Sequence, residues 1–172
     1  MQDRVDRLVS DLAALRPDMA PGVKAVAARL LHLSDLVLRY YSAVTEPFGV
    51  SLSGLGVLTS LARHAPQRLT LTELNRDILV TSGGITFVVS QLEKQGLVVK
   101  NRHPGDGRAV LVGLTRRGRR IADELIDAVA RADAAAFGGS DALEQDQAQT
   151  VLRRLQAGIE STMTAAAASA PT

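Results

Sequence analysis

The segment LTLTELNRDILVTSGGITFVVSQLEKQGLVVKNRHPGDGRAVLVGLTRRG, Leu69 to Gly118, decides the fold expected for this chain. Its hydrophobic pattern predicts two helices joined by a tight turn, followed by two β-rich runs around a polar loop. In the first helix, Thr70 and Glu73 have the spacing of a capping box. Only Leu79 to Thr81 separate the two helical patterns, so the helices are expected to cross steeply, as in a helix-turn-helix.

The second of these helices has one apolar face and one face of small, polar, basic or aromatic side chains. The apolar residues recur at the spacing of a helix that packs on one side: Ile85, Val88, Val89 and Leu92. The other face and its flanks carry Gly83, Thr86, Phe87, Ser90, Gln91 and Lys94. Thr81 or Ser82 is expected to cap the helix, which places Gly83 and Gly84 in its first turn. Glycines there would either let a phosphate approach the helix N-terminus or simply weaken the helix start.

The two β-rich runs predict a hairpin in a region rich in arginine. Gly96 is expected to end the second helix, and the loop of the hairpin is expected from Asn101 to Arg108. Between Lys100 and Arg120, seven residues are basic and one is acidic, although the formal net charge of the whole chain is only +2. The chain therefore has one basic region, which favours nucleic acid as a partner over a merely solvated arginine-rich face.

These elements resemble the MarR family of bacterial transcriptional regulators. The family's xLExxGLVxR segment corresponds to Leu92-Glu93 and Gly96-Leu97-Val98, its wing D-x-R to Asp106-Gly107-Arg108, and its LTxxG motif to Leu114 to Gly118. The resemblance extends more loosely from about Val23 to Met163. It implies a mainly α, winged helix-turn-helix fold with a two-stranded wing hairpin and N- and C-terminal dimerisation helices. It also implies a homodimeric repressor that binds double-stranded DNA at a pseudo-palindromic operator and is often released by a small ligand.

The resemblance and the helix pattern together give two sets of candidate residues. By resemblance, Arg108 is the wing-tip arginine for the minor groove and Asp106 orients it. The expected DNA-binding residues are Thr72, Thr81, Ser82, Gly83, Thr86, Phe87, Ser90, Gln91, Lys94, Arg102, Asp106, Arg108, Arg116 and Arg117. An effector pocket is implied beside the long helix that precedes this unit, and the residues expected to contact a small anionic or aromatic effector are His32, Arg39, Tyr40 and Tyr41. For Arg39, a solvated side chain or a dimer salt bridge is the alternative.

The flanking sequence predicts supporting helices and sets the expected domain limits. The predicted regions are an N-terminal helix and linker (1–21), the winged-helix domain (22–164) and a flexible Ala-rich tail (165–172). Within the domain, the DNA-binding core spans 51–115, and dimerisation helices span 23–45, 116–137 and 141–164. Amphipathic helices at both ends of a small domain favour an intertwined homodimer, and a monomeric bundle core is the alternative for the helix 23–45.

Composition limits the other possible functions. The chain has 172 residues, 46% of them hydrophobic, so it can form one sizeable core, and an aromatic content of 3% makes that core aliphatic. It has no cysteine, which excludes disulfides and thiolate chemistry. Its three histidines, His32, His64 and His103, have no partner at a catalytic or metal-ligating spacing, so we expect no enzyme activity, catalytic residue, metal or cofactor. No apolar run approaches the length of a membrane span, so a cytoplasmic protein without membrane contact is expected.

Two residues support a second possible function. Phe87 lies where members of the family often have a basic residue, and Gly107 lies where the wing commonly has a second arginine. Both substitutions favour an alternative in which the chain is a winged-helix dimerisation or protein-interaction module with weakened or lost DNA binding.

Overall fold

The computed structural model describes residues 2–78, 84–102, 105 and 109–169, which form seven α-helices and one three-stranded antiparallel sheet. The elements in chain order are α1 (Arg4–Leu15), α2 (Pro21–Thr45), α3 (Leu52–His64), β1 (Leu69–Thr70), α4 (Leu71–Asp77), α5 (Ile85–Lys94), β2 (Val98–Arg102), β3 (Val110–Leu114), α6 (Arg116–Phe137) and α7 (Ala142–Ala168). A short 3-10 helix, Glu46–Phe48, follows α2. The chain divides into two compact units, one ending at Val129 and the other beginning at Ala130. Among the described residues, no helix combines the length and the apolar character needed to cross a lipid bilayer.

The N-terminal helix α1 begins with a capping box and is connected to α2 by ion pairs. The Asp3 carboxylate accepts hydrogen bonds from the backbone N–H groups of Val5 and Asp6, and the Asp6 carboxylate accepts one from the N–H of Asp3. Arg29 on α2 donates to Asp3 at 2.6 Å and to Asp6 at 2.7 Å. The hydrogen bond from Arg29 is the main reason that the pKa of Asp3 is lowered from 3.8 to about 2. The predicted helix is confirmed, and charged contacts hold its first turn against α2.

The core of the first unit is aliphatic and lies among α3, α4, α5, α6 and the sheet. Ser51 caps α3 by accepting a hydrogen bond from the N–H of Gly54, and Thr70 with Glu73 forms the predicted capping box of α4. These caps satisfy backbone donors at the helix starts while the apolar faces turn inward. The most deeply buried core residues include Val57, Leu58, Leu61, Leu74, Val89, Leu92, Val98, Val112, Ala122 and Leu125.

The hairpin of β2 and β3 is joined by a third strand that the sequence pattern did not reveal. In the hairpin, Lys100 lies opposite Val112. β1, which is only Leu69–Thr70, pairs with the other edge of β3, so the strand order is β1-β3-β2. A two-residue strand is too short to produce an alternating pattern. The prediction that the loop begins at Asn101 was also wrong, because Asn101 and Arg102 belong to β2.

The start of α5 differs from the prediction. Its first residue is Ile85, and Gly84 is its N-cap, with no side chain capping the helix. Gly84 therefore precedes the first turn, and its predicted position inside that turn was wrong. Glycine costs about 1 kcal/mol in a helix interior, so a helix start after the glycine pair is favoured over one before it. Thr81, Ser82 and Gly83 lie outside the described residues.

The second unit comprises the end of α6 and the whole of α7. α7 begins with the predicted capping box of Asp141 and Glu144. It continues to Ala168, so the chain from Ala165 to Ala168 is helical and the predicted end of the helix was wrong by four residues. Alanine has the highest helix propensity of all residues, which explains the extension.

Candidate nucleic-acid interface

The helix α5, called the recognition helix below, separates its apolar and polar faces as the sequence predicted. Val88, Val89 and Leu92 are buried, with at most 7% of their surface exposed. Phe87 is 64% exposed. The exposed side chains of Thr86, Gln91 and Lys94 form no hydrogen bond or ion pair with any other described residue. These groups are therefore available to an external partner.

The C-terminal end of the recognition helix is fixed by a glycine turn. Gly96 has a φ of +69°, a conformation in which a side chain would be strained. The N–H of Gly96 donates to the Glu93 carbonyl, and the N–H of Leu97 donates to the Leu92 carbonyl at 2.9 Å. This is the Schellman arrangement, and it directs the chain from the helix straight into β2.

The Leu114 to Gly118 motif packs against the turn at Gly96 between the recognition helix and β2, and this contact is called the joint below. The Thr115 hydroxyl accepts a hydrogen bond from the N–H of Gly118 and donates to the Gly96 carbonyl at 2.7 Å. A β-carbon at Gly118 would lie 1.8 Å from the carbonyl oxygen of Leu97. Glycine is required here because the start of α6 lies directly against the turn that ends the recognition helix.

A lysine on β2 connects the recognition helix to the hairpin. The Lys100 Nζ atom lies 2.8 Å from the Glu93 Oε2 atom and donates a hydrogen bond to the Ser90 Oγ atom at 2.9 Å. The Ser90 hydroxyl in turn donates to the Thr86 carbonyl at 2.8 Å. Ser90, predicted to contact bases, is therefore half-buried and already engaged in contacts within the protein.

An arginine crosses the opposite face of the sheet. The Arg68 guanidinium donates a hydrogen bond to the Asn101 side chain on β2. Between them lies Gly113 on β3, where an added β-carbon would be 3.0 Å from the Arg68 Cγ atom. The missing side chain at Gly113 makes room for Arg68 to pass over the middle strand. Neither this contact nor that of Lys100 was predicted from the sequence. The first depends on the pairing of β1, β3 and β2, and the second depends on how β2 packs against the recognition helix.

The predicted basic residues divide into bound and available groups. Arg117 donates to the Gln95 carbonyl at 2.9 Å and Arg119 to the Ala62 carbonyl at 3.2 Å. Arg120 pairs with Glu124 at 3.6 Å. The exposed Arg102 and Arg116 make no side-chain hydrogen bond or ion pair with residues in the described part of the chain. Thr72 is exposed on α4, whereas Asp106 and Arg108 lie outside the described residues, as do Thr81, Ser82 and Gly83.

The four residues predicted to contact an effector all lie on α2. Arg39 pairs with Asp35, one helical turn away, at 2.7 Å, so its contact is a salt bridge within the helix. The rings of Tyr40 and Tyr41 are 6.0 Å apart, and His32 is half-buried. A cleft of about 220 Å³ in the first unit is lined by other residues, namely His64, Gln67, Leu69, Glu73, Arg76 and Asp77.

A polar cluster that the sequence did not suggest connects α3 to α4. Ser60 on α3 donates a hydrogen bond to the Asp77 carboxylate, and Arg63 pairs with the same carboxylate at 2.6 Å. The hydrogen bond from Ser60 is the largest cause of a lowered pKa for Asp77, and the charge of Arg63 adds to it. The cluster holds the end of α4 against α3, immediately before the segment that leads to the recognition helix.

Two helices packed against each other, α4 and α5, followed by a basic antiparallel hairpin define a winged helix-turn-helix DNA-binding protein. Sequence comparison gives the family. A sequence model described as the MarR family matches residues 48–109. The uncharacterised HTH-type transcriptional regulator YkoM of Bacillus subtilis is 31% identical over 140 residues, which are 77% of this chain and 88% of that protein. The chain belongs to the MarR family and is a DNA-binding transcriptional regulator.

Solved structures agree with this assignment. A MarR-like transcription regulator from Bacillus cereus superposes with a TM-score of 0.73 at 16% identity, covering 81% of this chain and 99% of the other. The PcaV transcriptional regulator from Streptomyces coelicolor, crystallised with its natural ligand, has a TM-score of 0.60 and 27% identity, covering 73% and 89%. The winged-helix fold is thus confirmed, and nothing in these comparisons favours the alternative of a module that has lost DNA binding.

Proposed function

We propose that the protein represses transcription as a homodimer that binds a pseudo-palindromic operator. The observation that carries the proposal is the exposed face of the recognition helix, where the side chains of Thr86, Gln91 and Lys94 form no hydrogen bond or ion pair with other described residues. In a two-fold dimer, two such helices enter successive major grooves about 10 bp apart. Thr86 and Gln91 contact base edges in this arrangement, and the exposed Phe87 ring contacts a thymine methyl group.

Phosphate contacts come from basic residues on both sides of the recognition helix. Lys94, Arg102 and Arg116 are exposed and have no carboxylate partner among the described residues, so their charges can neutralise phosphates. By resemblance to the family, Arg108 enters the minor groove with Asp106 as its orienting partner. Arg117 supports the site from within, because its guanidinium donates to the last turn of the recognition helix.

The dimer is supported by apolar surface that the described chain leaves uncovered. Along α7, Val151, Leu152, Ile159 and Met163 are each more than half exposed. Exposed apolar surface of this extent is typical of a protein interface. A second copy of the chain is the partner that the proposed two-fold operator requires.

Release by a small anionic or aromatic ligand completes the proposed function. The crystal structure of PcaV with its natural ligand supports this part. The candidate contacts are His32, Arg39, Tyr40 and Tyr41 on α2. Arg39 already pairs with Asp35 through one guanidinium nitrogen, so an anionic ligand would either share the guanidinium with that carboxylate or replace it.

The function is tested by fluorescence anisotropy with duplex DNA from the region upstream of the protein's own gene, and with a random duplex as reference. We expect tighter binding to the upstream DNA and a loss of affinity as salt increases, because phosphate contacts release counterions. A reporter fused to that DNA should be less active when the protein is present. Affinity that does not change with salt, or equal binding to both duplexes, would contradict the proposal.

Single substitutions separate base contacts from phosphate contacts. Thr86→Ala should reduce discrimination between the two duplexes, with a cost of about 1–3 kcal/mol at the contacted base pair. Arg102→Ala and Arg108→Ala should weaken binding to both duplexes, and Arg102→Ala should reduce the salt slope by about one. The matched control for charge is Arg153→Ala on α7, an exposed arginine in the second unit, which should leave the salt slope unchanged.

A further inference from the structure

The side of the sheet on which Lys100 lies is unusual for a lysine of a DNA-binding hairpin. Along β2 the buried Val98 alternates with Val99, which is 38% exposed, so Lys100 is on the same face as Val98. Its strand neighbour Val112 is fully buried. Lys100 thus extends from the core-facing side of the sheet, and its side chain is only 27% exposed.

The Lys100 ammonium group is occupied by two side chains of the recognition helix. It pairs with Glu93 at 2.8 Å and donates to Ser90 at 2.9 Å. Ser90 and Glu93 are three residues apart, so they lie on the same side of the helix. With its charge compensated by Glu93, Lys100 is a poor candidate for a phosphate contact, unlike Arg102 two residues further along the strand.

The Ser90 hydroxyl is engaged as a donor and as an acceptor within the protein. A hydroxyl group has one hydrogen to donate, and Ser90 donates it to the Thr86 carbonyl. One of its acceptor positions is filled by Lys100. A base contact in which Ser90 donates would require the hydrogen bond to Thr86 to break, so only the second acceptor position of the hydroxyl stays open.

This contact also lies where the recognition helix has no other polar connection to the hairpin among the described residues. The Schellman turn and Thr115 fix only the C-terminal end, near Gly96. The N-cap, Gly84, provides no side-chain cap. Ser90 lies in the middle of the ten-residue helix. Lys100 therefore restrains the helix about one turn closer to its N-terminus than the Schellman turn does.

We propose that Lys100 is a positioning residue that sets the orientation of the recognition helix relative to the hairpin, and that Ser90 belongs to this contact and does not read bases. The inference rests on the proposed function, since orientation matters only if the helix enters a groove. It distinguishes two lysines with different roles: Lys94 faces the phosphates, and Lys100 faces the protein.

The test compares Lys100→Met, which removes the charge and keeps the alkyl chain, with Arg102→Ala as the phosphate-contact reference. For Lys100→Met we expect operator affinity to fall on the order of 10-fold, because a coupled contact is lost, while random-duplex affinity and the salt slope stay unchanged. Equal losses on both duplexes with a salt slope lower by about one would overturn the proposal in favour of a phosphate contact. If the wild-type protein shows no salt-dependent binding, the proposed function fails before this comparison is made.

Three further variants exclude a simple loss of stability. The charge swap Glu93→Lys with Lys100→Glu should recover operator affinity relative to Lys100→Glu alone, because the pair is restored in reverse. No recovery in the swap, with thermal unfolding showing both proteins folded, would overturn the proposal.

Ser90→Ala should lower operator affinity a few-fold, equally for every base-pair substitution in the operator. A relaxed preference at one base pair would show instead that Ser90 contacts that base.

Discussion

The recognition helix and α7 are both amphipathic, yet their apolar faces have opposite fates. In the recognition helix, Val88, Val89 and Leu92 are at most 7% exposed. In α7, the residues Leu143, Val151, Leu152, Ile159 and Met163 are between 51% and 67% exposed. The difference teaches that hydrophobic periodicity identifies the face of a helix that needs covering, but not what covers it.

Local connections explain why only one of the two faces is covered by its own unit. The recognition helix is short and is joined through Gly96 to the hairpin of β2 and β3, whose inner face supplies Val98 and Val112 to the same core. α7 has 27 residues, starts with its own capping box, and has no buried residue. At 1.5 Å per residue it is roughly 40 Å long, more than one end of α6 can cover. A homodimer, as proposed, provides the missing surface.

The largest effect on the folding stability of the protomer is expected from adding a side chain in the tight joint at the end of the recognition helix. Gly118→Ala places a methyl group 1.8 Å from the Leu97 carbonyl oxygen, and a backbone atom cannot move aside as a flexible side chain can. We expect the free energy of unfolding to fall by about 3 kcal/mol, measured by urea denaturation with circular dichroism.

The control for this substitution is Gly22→Ala in the first turn of α2. An added β-carbon at Gly22 would have no atom within 4 Å, so unfolding should be unchanged or up to about 1 kcal/mol more costly. If both substitutions changed the free energy of unfolding equally, the joint at Gly118 would not be rigid.

The next effect is expected on the exposed face of α7. Ile159→Asp should weaken the proposed dimer by at least about 100-fold, because burying one isoleucine contributes roughly 1.5–3 kcal/mol and two-fold symmetry removes two of them. Sedimentation velocity at several concentrations measures the change. Ser161→Asp introduces the same charge on the opposite side of the helix and should leave association intact. An unchanged dimer in Ile159→Asp would show that this stripe is covered by something else.

The smallest effect is expected at the contact between α1 and α2, which is made by ion pairs of exposed side chains. The pKa of Asp3 is about 2 in the folded protein and 3.8 ordinarily, with Arg29 as the main cause. Because the pKa of Asp3 is lower in the folded protein, its ionised carboxylate stabilises the docked helix at pH values above about 4. This contribution is lost as the pH falls from about 4 towards 2. The protection of the α1 backbone amides against hydrogen exchange, corrected for the intrinsic pH dependence of exchange, should therefore fall over that interval.

The matched variant for the acid effect is Asp3→Asn. The α1 amides of this variant should exchange faster than those of the wild type at neutral pH. Their protection should depend less on pH below 4, since residue 3 of the variant has no carboxylate to protonate. Parallel acid profiles in the two proteins would mean that another group, such as Asp77 with its lowered pKa, governs the response.

Much of the fold was predictable because its signals are local. The capping boxes at Thr70 and Asp141 depend on residues three apart, and the structure contains both. The buried face of the recognition helix follows from its 3.6-residue period. The Leu114 to Gly118 motif correctly predicted a helix start, and the structure adds the reason for its glycine, which is contact with a carbonyl 21 positions earlier in the chain.

The predictions of helix ends that failed concern competition between two local preferences. Thr81 and Ser82 are good capping residues, yet the helix begins at Ile85, after the glycine pair. The tail from Ala165 looked like a helix end, but alanine continues the helix to Ala168. For the candidate site, the sequence identified exposed Thr86, Phe87, Gln91 and Lys94, and could not show that Ser90 is engaged.

The sequence by itself determined the helices, the capping boxes at Thr70 and Asp141, the outward face of the recognition helix and the basic character of the hairpin, because these depend on spacing within one segment. Only the tertiary structure decided that Leu69–Thr70 forms a third strand, that Arg68 passes over Gly113 to Asn101, and that Lys100 faces the helix. The physical reason is that strand pairing places distant residues side by side and assigns each side chain to one face of the sheet. A lysine that binds DNA and a lysine that orients a helix therefore look alike in sequence and differ only in the direction of their side chains.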